Sequence, residues 1–184
     1  MGRLQTKLLE PVTAVDTAVF LDTRTVEPPF WGYVDQLLEL AIITAASIAT
    51  HATEHDLRIG LYVNQVSPIV DRAVRIPPSS DPGQLARILE ALAQVHTEEV
   101  MPIARLVNQI GGTLPWTTTL LVVTAVPTPA LLSSLARFRR AGRSTALVHI
   151  SHEAPAFTGG IPTYQVNDRV AWERVHAISL AGVA

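Results

Sequence analysis

The chain contains no cysteine, and that absence excludes disulfides, thiolate nucleophiles and cysteine metal sites. Lys7 is its only lysine, so lysine chemistry has a single candidate. Charged residues make up only 16% of the sequence and the net charge is −2, so no global field draws in nucleic acid or anionic lipid. Long apolar runs are also missing. The longest, Leu37 to Ala49, is interrupted by Glu39, Thr44 and Ser47 and is shorter than the roughly 20 residues a bilayer requires. No apolar leader follows Met1-Gly2-Arg3, so a soluble chain is expected. No Walker A loop, G-x-S-x-G elbow or G-x-G-x-x-G turn occurs, which leaves nucleotide binding and serine hydrolysis without a signal.

What is present is a core-forming composition. Hydrophobic residues reach 48% over 184 residues, enough for one domain with a substantial interior. Thr17 to Leu21 is a continuous apolar run of strand length and reads as a central parallel strand. Leu4 to Leu9, Leu57 to Val63, Asp71 to Ile76, Thr118 to Val126, Thr145 to Ile150 and Thr163 to Val166 are further strand candidates, with Asp71 to Ile76 at an edge. Helical spacing predicts helices over Trp31 to Thr50, Gln84 to Val95, Met101 to Ile110, Pro129 to Arg140 and Arg169 to Leu180. Pro77 to Pro82 reads as a polar loop, and Gly111-Gly112 as a C-terminal helix stop. Strands alternating with helices over short connections predict an α/β fold: three layers, with a doubly wound, mostly parallel sheet. In such sheets ligands meet the carboxyl ends of the strands, here Asp22 to Thr25, Asn64-Gln65 and Thr124-Ala125.

The run Val19-Phe-Leu-Asp22-Thr resembles a known bacterial family, as do Trp31, Leu38-Glu39, Ala45-Ala-Ser-Ile-Ala49 and Ile59-Gly-Leu61. Pro82-Gly-Gln-Leu85, Ile88-Leu89, Leu92-Ala93 and Thr119 to Thr124 fit it too. It is the family known as domain of unknown function 58. The resemblance implies a von Willebrand factor A-like fold spanning residues 1–184, with 1–16 as a leading strand and loop. It also implies the soluble part of a membrane-anchored protein at the inner, cytoplasmic face of the cell membrane. It further implies a non-enzymatic interaction or scaffold role beside a MoxR-type AAA ATPase, with no cofactor.

That fold binds a divalent cation through a D-x-S-x-S motif, a distant threonine and a later aspartate, all hard oxygen ligands. Here Asp22 is kept, but the serine positions hold Arg24 and Val26, and Ala125 stands where the later aspartate belongs. The expectation is a degenerate metal site without metal, in which the Arg24 guanidinium pairs with Asp22 in place of a cation. Asp22, Thr23, Arg24, Thr25, Asn64 and Thr124 become the candidate binding surface. Thr97 is the candidate for the distant threonine. The alternatives are a binding domain that holds a divalent metal through atypical ligands, and a metal-dependent hydrolase. The hydrolase would use His51-Ala-Thr-Glu54-His55, which matches H-x-x-E-H, or His149-Ile-Ser-His152-Glu153 at a strand end. The simpler reading of His51 to His55 is a solvated helix end entering a loop. A haloacid dehalogenase start, D-x-D-x-T/V, fails because Arg24 replaces the general acid. Glu39 and Ser47 are expected to be buried polar groups needing partners. Arg137, Arg139, Arg140 and Arg143 read as a solvated helix end. His96 and His176 read as helix positions.

Overall fold

A computed structural model describes residues 16–27, 32–67, 72–97, 100–153, 158–169 and 181–183. The candidate strand at Leu4 to Leu9, Trp31, Trp172, His176 and nearly all of the helix expected from Arg169 lie outside these residues.

The strands are β1 (Thr17–Leu21), β2 (Ile59–Ser67), β3 (Arg72–Ser79), β4 (Thr119–Thr124), β5 (Thr145–Ile150), β6 (Thr163–Val166) and β7 (Ala181–Val183). The helices are α1 (Asp35–Glu54), α2 (Gln84–Leu92), α3 (Ile103–Gly111) and α4 (Pro129–Arg140). One sheet runs in the order β3-β2-β1-β4-β5-β6-β7. From β2 to β6 neighbours pair in parallel, while β3 and β7 are antiparallel. β1 is therefore central, as its unbroken apolar run requires.

Alternate residues of each strand feed two cores. Val19, Leu21, Leu61, Val123 and Val148 meet α1 and α2 through Ala41, Ala45, Ile88 and Leu92. Ala18, Phe20, Tyr62, Val122 and Leu147 meet α3 and α4 through Leu106, Val107, Leu131 and Leu135. The result is a three-layer α/β sandwich. α4 begins where the Thr128 hydroxyl accepts a hydrogen bond from the Leu131 N–H and Pro129 takes the first turn.

Several local expectations are corrected. α1 starts and ends later than Trp31 to Thr50. It continues through Glu54 because Ala52 is still packed into the core, and it stops where Asp56 adopts φ 55°. Glu39 and Ser47 are exposed, and the Ser47 hydroxyl donates back to Ile43 O, so neither burdens the core. β3 runs through Pro77 and Pro78 instead of ending in a loop. An edge strand tolerates proline because its outer side needs no ladder donor. Gly60 faces this stretch across a register shift, and a Cβ there would lie 2.5 Å from Ile76 O. Gly111 ends α3 by close packing, not by a left-handed turn: a Cβ would sit 2.9 Å from Phe138 Cζ.

Arg143 is the largest correction. It is 1% exposed and not part of a solvated helix end. Its guanidinium donates to the carbonyls of Gly111, Leu114, Pro115 and Thr118, closing the α3–β4 connection. Burial lowers its pKa below the ordinary guanidinium value.

Candidate functional site

Register builds the site. Leu21 of β1 pairs with Val63 of β2 and Val123 of β4, so the next residues, Asp22, Asn64 and Thr124, emerge side by side at the carboxyl edge. The row continues through His149 of β5 and Gln165 of β6, all on the α3/α4 face. Asp22, Asn64 and Thr124 are at most 2% exposed. Burying a carboxylate this deeply demands donors.

The donors are present. Asp22 Oδ1 accepts from Asn64 Nδ2 at 2.8 Å and from the Arg24 main-chain N–H at 3.2 Å. Asp22 Oδ2 accepts from the Thr124 hydroxyl at 2.8 Å. The amide orientation of Asn64 is determined by Thr23, whose main-chain N–H can only donate and meets Asn64 Oδ1 at 2.9 Å. The Thr23 hydroxyl reaches the same oxygen at 3.1 Å. The Asn64 NH₂ group must then point at Asp22. Thr124 Oγ1 in turn accepts the Val126 N–H at 2.9 Å.

The fit for a divalent cation follows from this chemistry. A cation requires carboxylate and hydroxyl lone pairs directed at one point. Asp22 instead spends lone pairs on at least three donors, and Val26 and Ala125 have no side-chain ligand atom. The residues present do not fit a Mg²⁺ site of the usual kind.

The six residues expected to form a binding surface meet at this edge, but Asp22, Thr23, Thr25, Asn64 and Thr124 are buried there by their hydrogen-bond partners, and only Arg24 is partly exposed. Thr25 accepts the Val34 N–H on its hydroxyl at 2.7 Å, tying the start of α1 to the β1 loop. The Val100 N–H donates to Asn64 O at 3.0 Å. Tyr33, Val34 and Val100 are exposed large apolar side chains, 58%, 41% and 56% accessible. Helical spacing puts Tyr33 and Val34 inside the helix expected from Trp31, whereas they precede α1 and are exposed; Val100, in a loop, carries no periodicity to mark it. Thr97 contributes no hydrogen bond to this row. His96 lies in the loop after α2, not on a helix, where its main-chain N–H donates to Gln65 Oε1 at 3.0 Å.

The neighbouring histidines differ from each other. His149 is buried, and its Nδ1 has no protein hydrogen-bond partner among the described residues. Burial lowers its pKa from the ordinary 6.5, opposed by a backbone hydrogen bond at Ala125 and the charges of Asp168 and Glu27. His152 Nδ1 lies 2.8 Å from Asp168 Oδ1, and its Nε2 accepts from Arg169 Nη2 at 2.7 Å. Arg169 can only donate, so in this arrangement Nε2 is the accepting nitrogen and Nδ1 donates to Asp168. Ser151 Oγ accepts the Glu153 N–H at 3.0 Å. His51, Glu54 and His55 lie together, exposed, at the far end of α1.

No protein-family model and no curated protein matches the chain. Among solved structures it is similar to the VWA domain of SpRpn10. The identity is 9%, the TM-score 0.52, and the match covers 85% of this chain and 89% of that one. At so low an identity the likeness concerns the fold alone. With the sheet order and the helices on both faces, it gives the conclusion that this chain has a von Willebrand factor A-like fold.

Proposed function

We propose that the chain is a non-enzymatic protein-interaction domain, acting with a MoxR-type AAA ATPase through the carboxyl edge of β1, β2 and β4, with a degenerate metal site at its centre. One observation carries this reading. The exposed Tyr33, Val34 and Val100 lie next to the buried Asp22, Asn64 and Thr124, whose side chains bond to one another; the Val34 N–H is tied to Thr25 of the β1 loop and the Val100 N–H to Asn64. Exposed apolar groups beside an internally hydrogen-bonded centre suit an apolar contact with another protein. Domains of this fold commonly bind proteins. Two features favour binding over catalysis. The His152 lone pair is taken by Arg169, so it lacks the free base that acid–base chemistry needs, and Ser151 is engaged as an acceptor. No helix among the described residues is long and apolar enough to cross a membrane. The reading places the domain on the cytoplasmic side of the membrane, where such an ATPase works.

The test is a binding assay between the purified chain and the MoxR-type ATPase of the same genome, with and without EDTA. We expect binding that survives EDTA and weakens at least about tenfold in Tyr33→Ala and Val100→Glu, as expected for losing a contact worth about 1.4 kcal/mol or more. Failure to recover the ATPase removes the partner. Binding abolished by EDTA removes the metal-free reading.

A further inference from the structure

His51, Glu54 and His55 stand apart from the carboxyl-edge site. α1 follows β1 and returns along the sheet, so its last turn lies beside the start of β2, at the opposite end of the molecule. The helix extends through Glu54, with His55 as its C-cap, and this brings positions i, i+3 and i+4 onto one face. One ligand atom from each residue lies within 4.8 Å of the other two. The two imidazole centroids are 4.1 Å apart. Nitrogen and oxygen ligands on one tetrahedral zinc are separated by about 3.3 Å, so binding would draw these atoms closer together than the 4.8 Å limit within which they lie.

Two further features suit a cation. His55 Nδ1 is 2.8 Å from the carbonyl oxygen of His51. A carbonyl only accepts, so Nδ1 is the donor and Nε2 is the ring nitrogen left to ligate. Metal-binding histidines are commonly oriented and fixed in tautomer in this way. The ligands also sit at the negative end of a 20-residue helix, where positive charge is favoured.

We infer that His51, Glu54 and His55 form a surface site for a borderline divalent transition metal, Zn²⁺ being the best match to two imidazoles and a carboxylate. Three protein ligands leave the remaining coordination position open to water or to an acidic or histidine side chain from outside. The site is independent of the carboxyl-edge surface and of the ATPase reading.

The experiment is calorimetric titration of the tag-free full chain with Zn²⁺, repeated on His51→Ala, Glu54→Gln, His55→Ala and His152→Ala. The Co²⁺-loaded protein would be examined by visible absorption. We expect one saturable Zn²⁺ equivalent and a Co²⁺ spectrum of low coordination number. Affinity should fall by at least about tenfold in His51→Ala and His55→Ala, since even outer-shell changes cost 10–100-fold at metal sites. Glu54→Gln should fall less, and His152→Ala should match the wild type. The three side chains are exposed, and circular dichroism would confirm that the variants keep their helices. The absence of saturable binding overturns the inference, and so does undiminished affinity in His51→Ala or His55→Ala.

Discussion

Asp22→Asn tests the central polar row by the sign of its effect. The substitution keeps the shape of the side chain and exchanges one carboxylate oxygen for an NH₂ group. If that group faces Asn64, two donors oppose each other, because the Thr23 main-chain N–H prevents Asn64 from turning over. If it faces Thr124, the Thr124 hydroxyl proton loses its acceptor at a position that is 0% exposed. Either arrangement leaves at least one buried donor unmade, which costs about 1–3 kcal/mol. For a chain of this length each kcal/mol moves the melting temperature by about 2–4 °C, so the expected fall is about 2–12 °C. Asp22→Ala strands both Asn64 Nδ2 and the Thr124 hydroxyl, and the loss rises to about 2–6 kcal/mol. A carboxylate poised for a cation behaves oppositely. Without metal its charge is uncompensated, so neutralising it stabilises the protein, and added Mg²⁺ raises the melting point of the wild type by linkage. Thermal melts of wild type and variant, each with EDTA or millimolar Mg²⁺, separate the two. An Asp22→Asn protein that melts higher than wild type would refute the reasoning. So would a Mg²⁺-dependent rise that the variant lacks.

Three further outcomes follow from the same geometry. Arg143→Ala removes the donor shared by four carbonyls between α3 and β4 and should cost about 3–5 kcal/mol in urea denaturation, whereas Arg139→Ala on the exposed end of α4 should cost under about 0.5 kcal/mol. Gly60→Ala drives a Cβ into the backbone of Ile76, Pro77 and Pro78, which cannot swing away as a side chain would; a loss of about 1–3 kcal/mol by the same measurement is expected. His149 gives a pH signature. Burial holds its folded pKa below 6.5, so below that pH the unfolded chain binds more protons and stability declines as acid is added. His149→Gln should flatten that decline between neutral pH and pH 5, and an unchanged pH profile would show that another group controls it.

Much of the architecture was legible in the chain because it is written in local patterns. The unbroken run Thr17 to Leu21 demands burial on both faces, and it became the central strand. The three arginines at the end of α4 lie in one short stretch with Arg143, but only three of them face water. That difference depends on where the α3–β4 connection passes, which no local pattern encodes. The same holds for α1. Its apolar residues predict a helix, but the exposed strip holding Glu39 and Ser47 is decided by which side α2 and the sheet leave uncovered.

By itself, then, the sequence determined the alternation of strands and helices, the aspartate closing the central strand, and the absence of ligand atoms at Val26 and Ala125. These properties rest on side-chain chemistry and on periods of two or 3.6 residues, which act over a few positions. Tertiary structure decided what Asp22 does with its charge. Its partners Asn64 and Thr124 are 42 and 102 residues away, and sheet register alone brings their donors to its oxygens. It also decided that His51, Glu54 and His55 share one turn, because Ala52 packs into the core and carries the helix past the point where the sequence alone suggested a loop.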